Sequence, residues 1–252
     1  MRVIGIVSGK GGVGKTTLVA NLGIALTNFG KSVAAVDCNI TTSHLGFNFG
    51  FYYYPITLNQ VLKGEASLLE ATYFHPSGLK IIPASLSVDD LIGVDIEKLK
   101  SALNFENVEI VLLDSAPGLG KEALSVLKTC NEVLFVTIPY MAAVTDVIKC
   151  SSLTKEMGIK RTGIVLNMVR NEKHELTPYQ IEELVGLPVI AKIPFDPNVQ
   201  KSLAEGKPVV TYNPNSKASI ALMELAAKLI GETYSPKINF FSRISEFFRK
   251  II

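Results

Sequence analysis

The chain has 252 residues and 27.3 kDa, 48% of them apolar and 19% charged, which suits one large α/β core or two small domains and excludes a disordered or low-complexity chain. The net charge of +2 is uneven, because Lys237, Arg243, Arg249 and Lys250 stand against Glu246 in the last sixteen residues and leave the body at −1. A nearly neutral body argues against broad nucleic-acid binding through a charged face and concentrates any attraction for anions in the tail. In chain order, the apolar, β-branched run Val3 to Val7 predicts a strand, Thr16 to Phe29 a helix, and Ser32 to Val36 and Leu79 to Ile82 two further strands. Ile96 to Leu103 reads as a helix, Val108 to Leu113 as a strand, Lys121 to Thr129 as a helix and Val133 to Ile138 as a strand. Thr145 to Met157 then reads as a helix, Thr162 to Leu166 as a strand, Pro178 to Leu184 as a helix, Val189 to Ile193 as a strand and Ser216 to Ile230 as a helix. Continuous apolar strands alternating with helices imply a doubly wound, mostly parallel sheet with helices on both faces. The chain divides into a domain over 1–232, a short tether over 233–237 in which Pro236 cannot continue the preceding helix, and a final segment over 238–252.

The strongest motif follows the first strand. Gly9, Lys10, Gly11, Gly12, Val13, Gly14, Lys15 and Thr16, with Thr17 next, fit GxxxxGK[ST] between a strand and a helix. Glycines let backbone N–H groups turn toward phosphates and the helix N-terminus adds partial positive charge. Lys15 reaches the β and γ phosphates and Thr16 offers its hydroxyl to Mg²⁺. A nucleotide's phosphates and Mg²⁺ are therefore the expected ligands. Cys38, Cys130 and Cys150 have no CxxC spacing and suggest neither disulfides nor a metal site. His44, His75 and His174 have no ligand-spaced companions. Tyr52, Tyr53 and Tyr54 read as a packed loop, since basic neighbours for a base-stacking platform are lacking. The start of the chain has no signal-like apolar region and no run approaches the roughly 18 residues of a spanning helix, so a cytoplasmic protein is expected.

With Lys10 the loop reads KGGVGKT, which resembles the deviant Walker A motif of the MinD and ParA family of P-loop ATPases, relatives of the nitrogenase iron protein. The resemblance extends from Met1 to about Ile230 and implies a nucleotide-sandwich homodimer in which Lys10 reaches the ATP of the second subunit. It also implies that Asp37 and Asp114 organise Mg²⁺, and that Ser115, Ala116, Pro117 and Gly118 form a γ-phosphate-sensing switch. By the same likeness Asn167 reads the adenine edge and the loop around Pro194 and Asp196 contacts the base. Val144, Thr145 and Asp146 match a segment at the family's dimer surface, although an Asp opening a helix serves equally as an N-cap. The pattern breaks where the family commonly has DxD, because this chain has Asp37, Cys38 and Asn39. An Asn amide can orient a water but cannot take its proton at neutral pH, so slow hydrolysis is expected. Ile40 to His44 also replace a glycine and an arginine that MinD members usually carry, which points to a different partner surface.

The tail, INFFSRISEFFRKII from Ile238 to Ile252, is sharply amphipathic. On a helical wheel Phe240, Phe241, Ile244, Phe247, Phe248, Ile251 and Ile252 occupy an arc of roughly 140°, opposite Ser242, Arg243, Glu246, Arg249 and Lys250. Such a helix suits an anionic membrane surface and also suits docking on protein; likeness to MinD proteins favours the membrane. The implied function is an ATP-dependent dimer, peripheral at the inner face of the cell membrane, that positions a division, motility or other assembly through an activating or cargo protein. A DNA-partitioning ATPase like ParA, an iron–sulfur carrier relative and a non-hydrolysing ATP-dependent scaffold are the alternatives.

Overall fold

The computed structural model describes residues 1–236, so the 238–252 segment lies outside the described residues. The elements run β1 (Arg2–Val7), α1 (Lys15–Asn28), β2 (Val33–Asp37), α2 (Leu58–Lys63), β3 (Tyr73–Phe74), β4 (Lys80–Ile82), α3 (Leu99–Ala102), β5 (Ile110–Asp114) and α4 (Lys121–Thr129). There follow β6 (Glu132–Thr137), α5 (Met141–Glu156), β7 (Lys160–Val169), α6 (Pro178–Val185), β8 (Val189–Pro194), α7 (Pro197–Ala204), α8 (Val209–Tyr212) and α9 (Lys217–Leu229). Among the described residues, eight strands form one sheet in the order β3-β4-β2-β5-β1-β6-β7-β8. Every pairing is parallel except β3 with β4, so the expected fold class holds.

The pleat explains why the central strands are apolar throughout. Val7, Val36, Val111, Leu113 and Phe135 point to one face, where they pack with residues of α2 to α6. Ile4, Ile6, Ala35, Leu112 and Leu134 point to the other, under α1, α8 and α9. Helix starts follow local chemistry: Thr177 and Gln180 form a reciprocal capping box with Pro178 behind the cap of α6, and Ser216 caps α9. α1, like α4 and α5, has no side-chain cap, but its N-cap is Gly14 in the left-handed region at φ 94°, where the glycine-rich segment enters the helix, so its first N–H groups are left for an external anion.

Several expectations shift. α5 starts at Met141, not Thr145, because Tyr140 takes the extended N-cap conformation and the buried stripe already begins at Ala143 and Val144. Asp146 therefore lies inside the helix and is not its cap. β7 continues past Asn167 to Val169. β3, α2, α7 and α8 have no counterpart among the predicted elements. Of the three tyrosines, Tyr54 packs on Tyr73 at 4.6 Å between ring centroids, whereas Tyr52, which leans on Phe47, and Tyr53 are both exposed, so the expected packed loop holds only at Tyr54. In the predicted tether, residues 233–236 form no helix or strand and Tyr234 meets Phe29 edge-on.

Candidate nucleotide site

The glycine-rich loop leaves the end of β1 and closes over the sheet's C-terminal edge. Gly12 and Gly14 have φ of 78° and 94°, which L side chains rarely adopt. A Cβ on Gly14 would also collide with Nδ2 of Asn167, and one on Gly9 would collide with Asp146. Asp146 thus presses on the loop from α5. The Lys15 ammonium is buried and donates to Ser8 Oγ at 2.8 Å, and that hydroxyl donates to the Lys10 carbonyl at 2.6 Å. Burial lowers the Lys15 pKa while the Asp114 charge holds it up. Lys10, in contrast, is exposed at the loop tip.

Two acids face each other at the ends of neighbouring strands, since Asp37 of β2 is the register partner of Asp114 of β5. Asp37 is buried and its oxygens are engaged: one accepts the Asn39 N–H, and the other accepts Ser43 Oγ at 2.8 Å and the N–H groups of Leu45 at 3.0 Å and His44 at 3.1 Å. Burial raises its pKa and these bonds offset part of the rise. Asp114 is buried too, yet neither of its oxygens has a hydrogen-bond partner among the described residues. Burial and then the Asp37 charge push its pKa up to about 8, and the Thr16 hydroxyl and Lys15 ammonium nearby offset only part of this. A carboxylate left buried without donors is costly, and a divalent cation beside Thr16 would satisfy it. The residues present therefore fit Mg²⁺.

Beside the loop is a cavity of about 260 Å³ lined by Gly14, Thr17, Leu18, Asn167, Met168, Pro194 and Phe195 among others. Asn167 donates from Nδ2 to the Val13 carbonyl at 2.8 Å, which fixes the amide's orientation and leaves its Oδ1, an acceptor, for a ligand. Met168 has φ 55° at a register shift between β7 and β8; this kink turns its side chain toward Gly14. Nothing in sequence alone marks Met168. Arg170 stacks on the Phe195 ring at 3.5 Å from its centroid. Asp196 lines the cavity, but its carboxylate accepts the Asn198 N–H at the start of α7 and the Ala218 N–H in the first turn of α9. Burial pushes its pKa up, and these bonds outweigh it to give a lowered value. Its side chain thus joins two helix starts. Asn39 is bound into its own loop: Nδ2 donates to the Thr42 carbonyl and Oδ1 accepts the Thr42 hydroxyl. The switch residues Ser115 to Gly118 lie against the loop, with Gly118 N–H donating to the Ser8 carbonyl at 3.0 Å. The structure therefore gathers the phosphate-loop residues, Asp37, Asp114, Asn167 and the Pro194 segment at one edge of the sheet.

A strand, a glycine loop, an uncapped helix start and acids on adjacent strand ends define a P-loop nucleotide-binding protein. Residues 4–209 match the CobQ/CobB/MinD/ParA nucleotide binding domain, and the chain belongs to this family, within its MinD/ParA group of P-loop ATPases. It is 40% identical over 238 residues to an uncharacterised ATP-binding protein of Methanocaldococcus jannaschii, covering 94% of this chain and 90% of that one. Among solved structures it resembles the cell division ATPase MinD of Pyrococcus furiosus, with a TM-score of 0.88, 33% identity and coverage of 91% and 98%. It also resembles the septum site-determining protein MinD of Pyrococcus horikoshii, which was solved with Mg-ADP, at a TM-score of 0.86 and 34% identity, covering 90% and 95%.

Proposed function

We propose that this protein is a MinD-like ATP switch that pairs with a second copy when it holds ATP and Mg²⁺ and then attaches to the cytoplasmic face of the membrane to position an associated assembly. The observation that carries the reading is the division of labour between two loop lysines: Lys15 is buried against Ser8, while Lys10 projects from the loop where a second subunit's nucleotide could meet it. Thr16, Asp37 and Asp114 would hold Mg²⁺, directly or through water, and the metal would draw charge from the phosphates during γ-phosphate transfer. Asn167 favours adenine, since an acceptor matches the adenine 6-amino group and repels the guanine 6-oxygen. Asn39 lacks an acid's ability to take a proton, which supports slow turnover. The 238–252 segment supplies the membrane contact, and pairing two such segments on one dimer strengthens it through effective concentration.

Co-sedimentation of the full chain with vesicles of anionic phospholipid tests this. Pelleting with Mg-ATP that falls several-fold with Mg-ADP is the expected result. Lack of pelleting in both states would overturn membrane attachment, and a salt-sensitive shift of DNA under Mg-ATP would favour the partitioning alternative. The scaffold alternative rests on Asn39 and predicts ATP-dependent pairing with no phosphate release.

A further inference from the structure

Three segments must hold together around a γ-phosphate: the glycine loop, the loop after β2 and the switch before α4. The bond from Gly118 N–H to the Ser8 carbonyl links the first and third. The loop after β2 closes on itself through Asn39 and Thr42, and its own donors bond to Asp37 at the end of β2. The link from this loop to the switch helix comes from Glu122, in the first turn of α4 and partly buried. One Glu122 oxygen accepts the Thr41 N–H at 3.1 Å and the other accepts the Thr41 hydroxyl at 3.3 Å. Both bonds fall between Asn39 and Thr42, at the point where the usual second acid is missing.

We propose that Glu122 is a positioning residue for ATP hydrolysis, clasping Thr41 so that the Asn39 segment is held against the switch while the γ-phosphate is transferred. This rests on the ATPase reading above. A helix with an acid in its first turn gains stability from the helix dipole whatever that acid touches; the clasp differs in having a second element as its partner. Because phosphoryl transfer depends on positioning, loosening the Asn39 segment slows the chemical step without weakening the phosphate contacts made by Lys15 and Thr16.

The test is single-turnover hydrolysis by the full chain carrying Glu122→Ala, Glu122→Gln or Thr41→Val, alongside ATP affinity and hydrogen exchange of residues 39–44 without nucleotide. Glu122→Ala is expected to slow hydrolysis by about tenfold with ATP affinity within about twofold, and to speed exchange of the loop. Glu122→Gln keeps an oxygen for the Thr41 N–H and should restore most of the rate, Thr41→Val should fall between, and adding Thr41→Val to Glu122→Ala should cost nothing more. An unchanged rate in Glu122→Ala, or equal losses of rate and affinity, would overturn the positioning role. If the unsubstituted protein binds no ATP, the functional reading itself fails, and unchanged loop exchange in Glu122→Ala would separately remove the clasp.

Discussion

The two ends of the parallel sheet treat charge in opposite ways. At the N-terminal edge, Arg2 of β1 grips Glu132 of β6 through Nε at 2.8 Å and Nη2 at 3.0 Å. Lys160 and Thr162 of β7 add bonds to the same carboxylate, and the remaining Arg2 nitrogen Nη1 donates to the Leu229 carbonyl. The Arg2 bonds lead in holding Glu132 down at about 2. At the C-terminal edge, Asp114 is buried with no hydrogen-bond partner to either oxygen among the described residues and sits beside Asp37, so its pKa is driven up to about 8 despite the nearby Thr16 hydroxyl. One end completes its own electrostatics. The other, in the reading proposed above, is completed by a cation and phosphates, which is why stability and ligand binding should respond to substitutions at opposite edges.

That contrast can be broken at either end. Asp114→Asn should have the largest effect on chemistry: hydrolysis falling by about 10² to 10³-fold, as when a transition-state stabiliser is removed, and loss of the Mg²⁺ dependence of nucleotide binding. The same change should raise the melting temperature of the nucleotide-free protein at neutral pH, because a carboxyl with a raised pKa must take up a proton on folding, whereas an amide is neutral in both states. A lower melting temperature would show that the carboxylate has a structural partner. Lys15→Ala should weaken ATP binding by about 100-fold, or ~2.7 kcal/mol, measured by calorimetry, with the fold retained by circular dichroism.

At the opposite edge, Glu132→Gln should cost about 2 kcal/mol at pH 7 through the lost charge-assisted bonds and leave ATP affinity unchanged. The sign follows from the depressed pKa. The stability that Glu132 confers is full above its ordinary value of 4.5 and is lost as pH falls toward about 2. Urea melts of the two proteins should therefore converge over that window. Asn39→Asp should give the smallest change, a rise in single-turnover hydrolysis of about tenfold or more; no rise would remove Asn39 as the reason for slow turnover.

Much of this was legible in the residues because the main strands are continuous apolar runs and the glycine loop needs a strand before it and a helix after it. β3 was not, since two residues carry no period and its pairing depends on β4. α7 has readable signs, with Asp196 as N-cap and Pro197 at its first position, but those two residues also resemble the end of the family's base-contacting loop. The early start of α5 was hidden because Asp146 resembles a cap while the buried stripe opens at Ala143. Within the site, the roles of Lys15 and Asp114 follow from motif and burial together. The Met168 kink and the contact between Glu122 and Thr41, 81 residues apart, depend on tertiary placement and leave no local trace.

The central claim is that the C-terminal edge of the sheet is built to be completed by Mg-ATP. Isothermal titration of the full chain with ATP, in Mg²⁺ and again in EDTA, tests it most directly. Binding tighter by about tenfold or more with Mg²⁺, and weaker by about 100-fold in Lys15→Ala, is the predicted result. Equal affinity with and without the metal, or none in either, would contradict it.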